Sequence, residues 1–146
     1  MANSYSQFSE MLGDVNAKEA RWLKKILQLD PLEGDDLEQL VKELHLEGKD
    51  VDFDGWPDFE WGLRKKELWL HADESFTESH LIWVMQAFLQ RFRPDFIFTM
   101  TGAGTCSRPR IGEFGGWWLA ISATGVEGGN TWDAVKEAAE KLEHPS

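Results

Sequence analysis

Four residues in one glycine-rich stretch have the types and spacing to do chemistry together: Cys106, Arg108, Arg110 and Glu113, within the segment 102–115. Consecutive backbone N–H groups in such a loop can form an anion-binding nest, and two arginines would assist it. The same arginines would favour the thiolate of Cys106, which could then act as a nucleophile. Neither chemistry is complete. The P-loop pattern of a glycine-rich run closing on Lys-Ser/Thr is missing, and the downstream segment reads as strand, not as the helix whose N-terminus would cradle a phosphate. His45, His71, His80 and His144 stand in no context that pairs one of them with the thiol. The plainer reading is a connection stiffened by Pro109, with Arg110 paired to a carboxylate such as Glu113 and Cys106 a small buried residue. The loop is therefore kept as the alternative ligand site, for a small molecule or nucleotide. His71 and His80 flank Asp73, Glu74 and Glu78, but their spacing matches no helical ligand pair of the His-Glu-x-x-His kind, so no metal is expected and both read as surface or packing residues. No cofactor motif occurs, and the reading is non-enzymatic.

A second constellation concerns binding. The chain carries a net charge of −11, and residues 30–60 hold twelve acids against Lys42 and Lys49, which is nearly the whole surplus. Such a field repels phosphate backbones and attracts basic surfaces, so direct nucleic-acid binding is not expected. Within it Asp50, Asp52, Asp54 and Asp58 are interleaved with Phe53 and Trp56. Aromatic anchors with charge to steer the encounter suit a protein-binding surface, and these six residues are the expected site. The plainer reading is a solvated face.

The elements that must position these groups follow from periodicity. At 146 residues, with 42% hydrophobic composition, the chain has the size and apolar content of one domain. Tyr5 to Leu12 alternates weakly and reads as a strand. Asn16 with Glu19 three residues on forms a capping-box pattern, opening a helix over 17–28. A second helix is expected from Asp35, with Glu38 at its third position and Leu37, Leu40, Val41 and Leu44 on one face. Residues 46–58 read as loop. Phe59-Trp61-Leu63 and Leu68-Leu70, around Arg64-Lys65-Lys66-Glu67, read as a β-hairpin that places Trp69 on the opposite face. Ser75 and Glu78 suggest a second capping box, opening the central helix that Pro94 stops. Strands are expected at 95–101 and 116–124, and a last helix, capped by Asn130 or Thr131, over 131–143.

The fold class expected is α+β: one domain, a mainly antiparallel sheet with about four helices packed against it. A single cysteine, a start without basic and apolar signal-peptide regions, and no apolar run near the length of a membrane span lead to the expectation of a cytoplasmic protein that does not enter membranes. Trp56, Trp69 and Trp117 fall on no obvious core face, which leaves a homodimer open.

The run Phe88-Leu89-Gln90-Arg91-Phe92-Arg93-Pro94-Asp95, then Thr105-Cys106-Ser107-Arg108-Pro109-Arg110, then Gly112-Glu113-Phe114-Gly115-Gly116 resembles a family of small acidic proteins of bacteria and mobile elements, including phages. Tyr5 to Ser9 and Thr131-Trp132-Asp133 are similar too, while Trp117 stands where such relatives carry a third glycine. The resemblance implies a fold neighbourhood and a mobile-element setting, and brings no activity. Joined to the acidic face, it leads to the expectation of an inhibitor of a host defence system, anti-CRISPR-like, that occupies the basic nucleic-acid-binding surface of an effector.

Overall fold

The computed structural model describes residues 4–108, 111 and 114–144. Among them the chain runs β1 (Ser4–Leu12), α1 (Ala17–Leu27), α2 (Gly34–Glu43), β2 (Glu60–Arg64), β3 (Glu67–Ala72), α3 (Glu78–Phe92), β4 (Phe98–Cys106), β5 (Gly115–Ile121), β6 (Val126–Asn130) and α4 (Thr131–Glu143). The strands form one sheet in the order β2-β3-β1-β4-β5-β6, every neighbour antiparallel. This is the α+β arrangement expected from the sequence.

One face of the sheet is the core. Phe8 and Leu12 of β1, Leu68 and Leu70 of β3, Phe98 and Met100 of β4, and Leu119 and Ile121 of β5 are buried there beneath α1 and α3. Leu23 and Ile26 of α1 and Leu81, Met85 and Phe88 of α3 fill it from above. Each such side chain contributes roughly 1.5–3 kcal/mol by leaving water, which is why the period-3.6 stripes of these helices were legible.

Two expectations about helix starts are corrected. α2 opens one residue early, at Gly34, because its first turn is tied to the preceding turn: the Asp30 N–H donates to the Asp36 carboxylate at 2.9 Å and Glu33 N–H to Asp30 O at 3.0 Å. Ser75 and Glu78 form no capping box. Thr77 takes the N-cap position of α3, and its hydroxyl donates to Asp58 instead of capping the helix.

The larger corrections lie in β4 and β6. Residues 102–106 continue β4, all paired with β1 and 102–104 also with β5, so this half of the glycine-rich stretch is strand. Its glycines are there for space: a Cβ on Gly102 would stand 2.1 Å from the Trp117 ring, and one on Gly115 2.7 Å from the Trp132 ring. Trp117 thus lies on the backbone of β4 against Phe8 and Phe76, half-buried in the core. Val126–Asn130 shows no alternation, yet it pairs along β5, because Gly128 and Gly129 clear the side chains of Leu119 and Trp118.

The buried Glu19 joins the two ends of the helical layer. It closes the α1 capping box with Asn16, and its carboxylate accepts from Arg93, past the end of α3, at 2.8 and 3.2 Å. Arg93 also donates to Asp14 O at 3.0 Å. Burial pushes the Glu19 carboxyl up, but the Arg93 hydrogen bonds, the Asn16 N–H and the guanidinium charge outweigh it, and its pKa lies below the ordinary value near 4.5. A depressed carboxyl contributes stability that is complete above the unfolded value and lost as pH falls through the folded one. Arg93→Ala should therefore cost about 3 kcal/mol at neutral pH, by leaving a buried carboxylate unpaired. In urea unfolding the gap between the variant and the parent should narrow toward pH 3, and a gap independent of pH would remove Glu19 from the account.

Candidate acidic groove

The acidic segment folds into a groove between the turn at 30–33, the first turns of α2 and the loop 51–56. Its space is about 510 Å³. The floor is Leu37, Val51, Phe53 and Trp56, and Asp30, Asp52 and Asp54 supply carboxylates around it. Leu32 stands at the lip, 93% exposed, and Leu37 is 38% exposed. Trp56 is fixed from below, its indole N–H donating to Ile26 O at 3.2 Å. The Asp52 carboxylate accepts from Asp54 N–H and that of Asp30 from Leu32 N–H, so both carboxylates hold the local turns as well as facing the groove.

Of the six residues expected to form a binding surface, the groove gathers Asp52, Phe53, Asp54 and Trp56. Asp50 and Asp58 line the other side of the loop, beside Thr77 and Trp83. Besides the tethers on Asp52 and Trp56, Phe53 and Asp58 have internal partners that limit what they can present. Phe53 is buried and packs edge-on against Trp56 and Trp83, so it serves as floor and not as a projecting anchor. The Asp58 carboxylate accepts from the Thr77 hydroxyl, and its carbonyl from the Thr77 N–H at 2.9 Å. The projecting apolar residue is Leu32, which sequence reasoning missed. Its signal was a leucine after Asp30-Pro31 that belongs to neither helical stripe.

His80 holds the loop in place. It is 1% exposed, in the first turn of α3, with its ring among those of Phe53, Trp56 and Trp83. Asp58 N–H donates to Nδ1 at 3.1 Å, and an amide can only donate, so Nδ1 is the bare nitrogen. Nε2 carries the proton and donates to Asp52 O at 2.8 Å. One neutral imidazole thus satisfies both ends of the 52–58 turn. The expectation of a packing histidine holds for His80, while its bridging role was not legible.

The alternative site at the glycine-rich stretch fares differently. Cys106 ends β4 opposite Ser4 and is half-buried, not fully buried, and Arg108 is exposed. Arg110 and Glu113 lie outside the described residues. No nest forms over 102–106, since that backbone is extended in the sheet ladder. His71 stacks on Trp69 at 3.7 Å and takes no part in the ring packing around His80. Among the described residues no group of three His, Cys, Asp or Glu side chains could hold a metal ion, and no helix is long and apolar enough to cross a membrane.

Replacing His80 by Ala should leave Asp58 N–H and Asp52 O without partners beside a new cavity, at a cost of about 3 kcal/mol. Amide exchange across 51–58 should accelerate more than exchange in β1 or β4; uniform acceleration would mean that His80 is merely core. Comparison with protein-family models, curated proteins and solved structures finds no match to the chain.

Proposed function

We propose that the chain is a non-enzymatic interaction module whose acidic groove receives a basic segment of a protein partner. The observation that carries this reading is the pairing of an apolar floor with three surrounding carboxylates, Asp30, Asp52 and Asp54, and an almost fully exposed Leu32 at the lip. A lysine or arginine fits such a groove in two parts, its aliphatic stem against Leu37 and Trp56 and its charged head at the carboxylates. The field of a chain with net charge −11 speeds the encounter and excludes nucleic acid itself.

The partner class is then a protein whose own function requires a basic surface, above all one that binds nucleic acid, and occupation of that surface would inhibit it. The mobile-element setting implied by the sequence resemblance makes a host defence effector of the CRISPR kind the first target to test.

The test is capture of partners from a host lysate by the tagged protein at low and at high salt, repeated with Asp54→Lys and with Leu32→Ser. Both positions are exposed, so either change should shift unfolding by less than about 0.5 kcal/mol. The expected result is a basic nucleic-acid-binding protein captured at low salt, released at high salt as the charges are screened, and lost with each variant. Capture that survives both substitutions would remove the groove as the binding site.

A further inference from the structure

The outer face of the sheet, opposite the helices, has a different chemistry. Antiparallel register places Gln7, Ser9 and Met11 of β1, Trp69 and His71 of β3, Thr99 and Thr101 of β4, and Trp118 of β5 on this face. These eight side chains carry no acid, lysine or arginine, and the charges on this face are confined to Glu60, Arg64 and Glu67 of the β2–β3 hairpin and Glu127 of β6. Trp69 is 40% exposed and Met11 53%. An exposed indole usually samples several rotamers, but Trp69 is held: its N–H donates to Ser9 Oγ at 2.8 Å, and its ring lies parallel to His71, 3.7 Å between centroids at 18°.

A planar ring has two faces, and His71 takes one. The other has no ring partner among the described residues, and the indole borders a cavity of about 330 Å³ lined by Trp61 and His71 as well as by Met11, Gly62, Arg64 and Glu67. Gly62 sits directly across from Trp69, on the neighbouring strand. Its lack of a side chain has no packing reason: a Cβ there meets nothing within 4 Å, unlike those at Gly102, Gly104, Gly115, Gly128 and Gly129, which would strike a side chain. Glycine inside a strand weakens it, so this one keeps the space beside the indole open at a cost to the hairpin. At the mouth, Arg64 and Glu67 face each other in register and offer one donor and one acceptor with no net charge.

We propose that this slot binds an uncharged, planar, mono- or bicyclic heteroaromatic small molecule. Its ring stacks on the free face of Trp69 and its polar edge meets Arg64 and Glu67. A volume near 330 Å³ is at the small end of ligand sites, which suits one such ring system and excludes an extended ligand. Anionic ligands are disfavoured by the net charge and cationic ones by Arg64. The slot involves none of the groove residues, so it stands or falls independently of the groove.

The experiment is an NMR titration of the full chain with adenosine, thymidine and indole, reading the Trp69 indole N–H, assigned by its loss in Trp69→Phe. Adenosine monophosphate, glucose and tetramethylammonium serve as contrasts. At least one of the three neutral rings should shift the Trp69 signal in a saturable way, and adenosine monophosphate should bind about tenfold more weakly than adenosine, because of the added charge. Gly62→Val fills open space in a strand, so the protein should remain folded with an unchanged or raised unfolding temperature while the shift disappears. No saturable shift with any neutral ring up to about 10 mM would overturn the proposal. So would binding that persists in Gly62→Val, preference for glucose or the ammonium ion, or a shift that follows protein concentration alone and marks a second copy on the face.

Discussion

The shape of the acidic surface depends on one buried imidazole. A segment as charged as 50–58 gains little by folding onto a protein, since its carboxylates prefer water and its apolar residues are few. His80 resolves the conflict by taking the polar backbone of the turn, at Asp52 and Asp58, as its two hydrogen-bond partners inside a box of aromatic rings. Asp50, Asp52 and Asp54 are then left exposed while Phe53 goes in. Thr77 adds two bonds to Asp58, so the loop and the first turn of α3 are ordered together. Buried polar groups held in this way specify one arrangement, because a partner lost inside a low-dielectric core is not replaced by water.

Large aromatics set against glycines form a second recurring device. Trp117, Trp118 and Trp132 each lie over a strand position that has no side chain. The rings thereby come down onto the sheet backbone, and the glycines that would weaken the strands become the places where the strands are covered. Gly62 differs from all of these strand glycines, since a Cβ there would meet nothing within 4 Å. That contrast separates a glycine kept for packing from one that leaves a space. It also divides the molecule into a packed inner face, an acidic groove at the edge of the helical layer, and an outer face with aromatic rings whose charges, Glu60, Arg64, Glu67 and Glu127, lie on the outermost strands and the hairpin.

Much of this was readable from residue order because the interactions are local. The Asn16–Glu19 capping box, the stripes of α1 and α3, the hairpin around Lys65-Lys66 and the start of α4 at Asn130 all arise from partners a few residues apart. Where local cues failed, a distant partner had taken the group concerned. Ser75 and Glu78 have the pattern of a cap, yet Thr77 begins the helix because Asp58, nineteen residues earlier, takes its hydroxyl. Gly102 to Cys106 reads as loop by composition, and only the ring of Trp117 and the strands on either side make it a sheet interior.

The sequence by itself determined the fold class, the positions of most elements and the concentration of negative charge, since these follow from periodicity, capping chemistry and composition. Tertiary structure decided which of the acids share a groove with apolar residues, that Leu32 projects while Phe53 is buried, and that His80 ties the loop to α3. It also decided that Trp69 stands fixed and open across from Gly62. The physical reason is the same throughout. A side chain's exposure and its hydrogen-bond partners depend on what the rest of the chain brings beside it, and contacts across tens of residues leave no period in the sequence to be read.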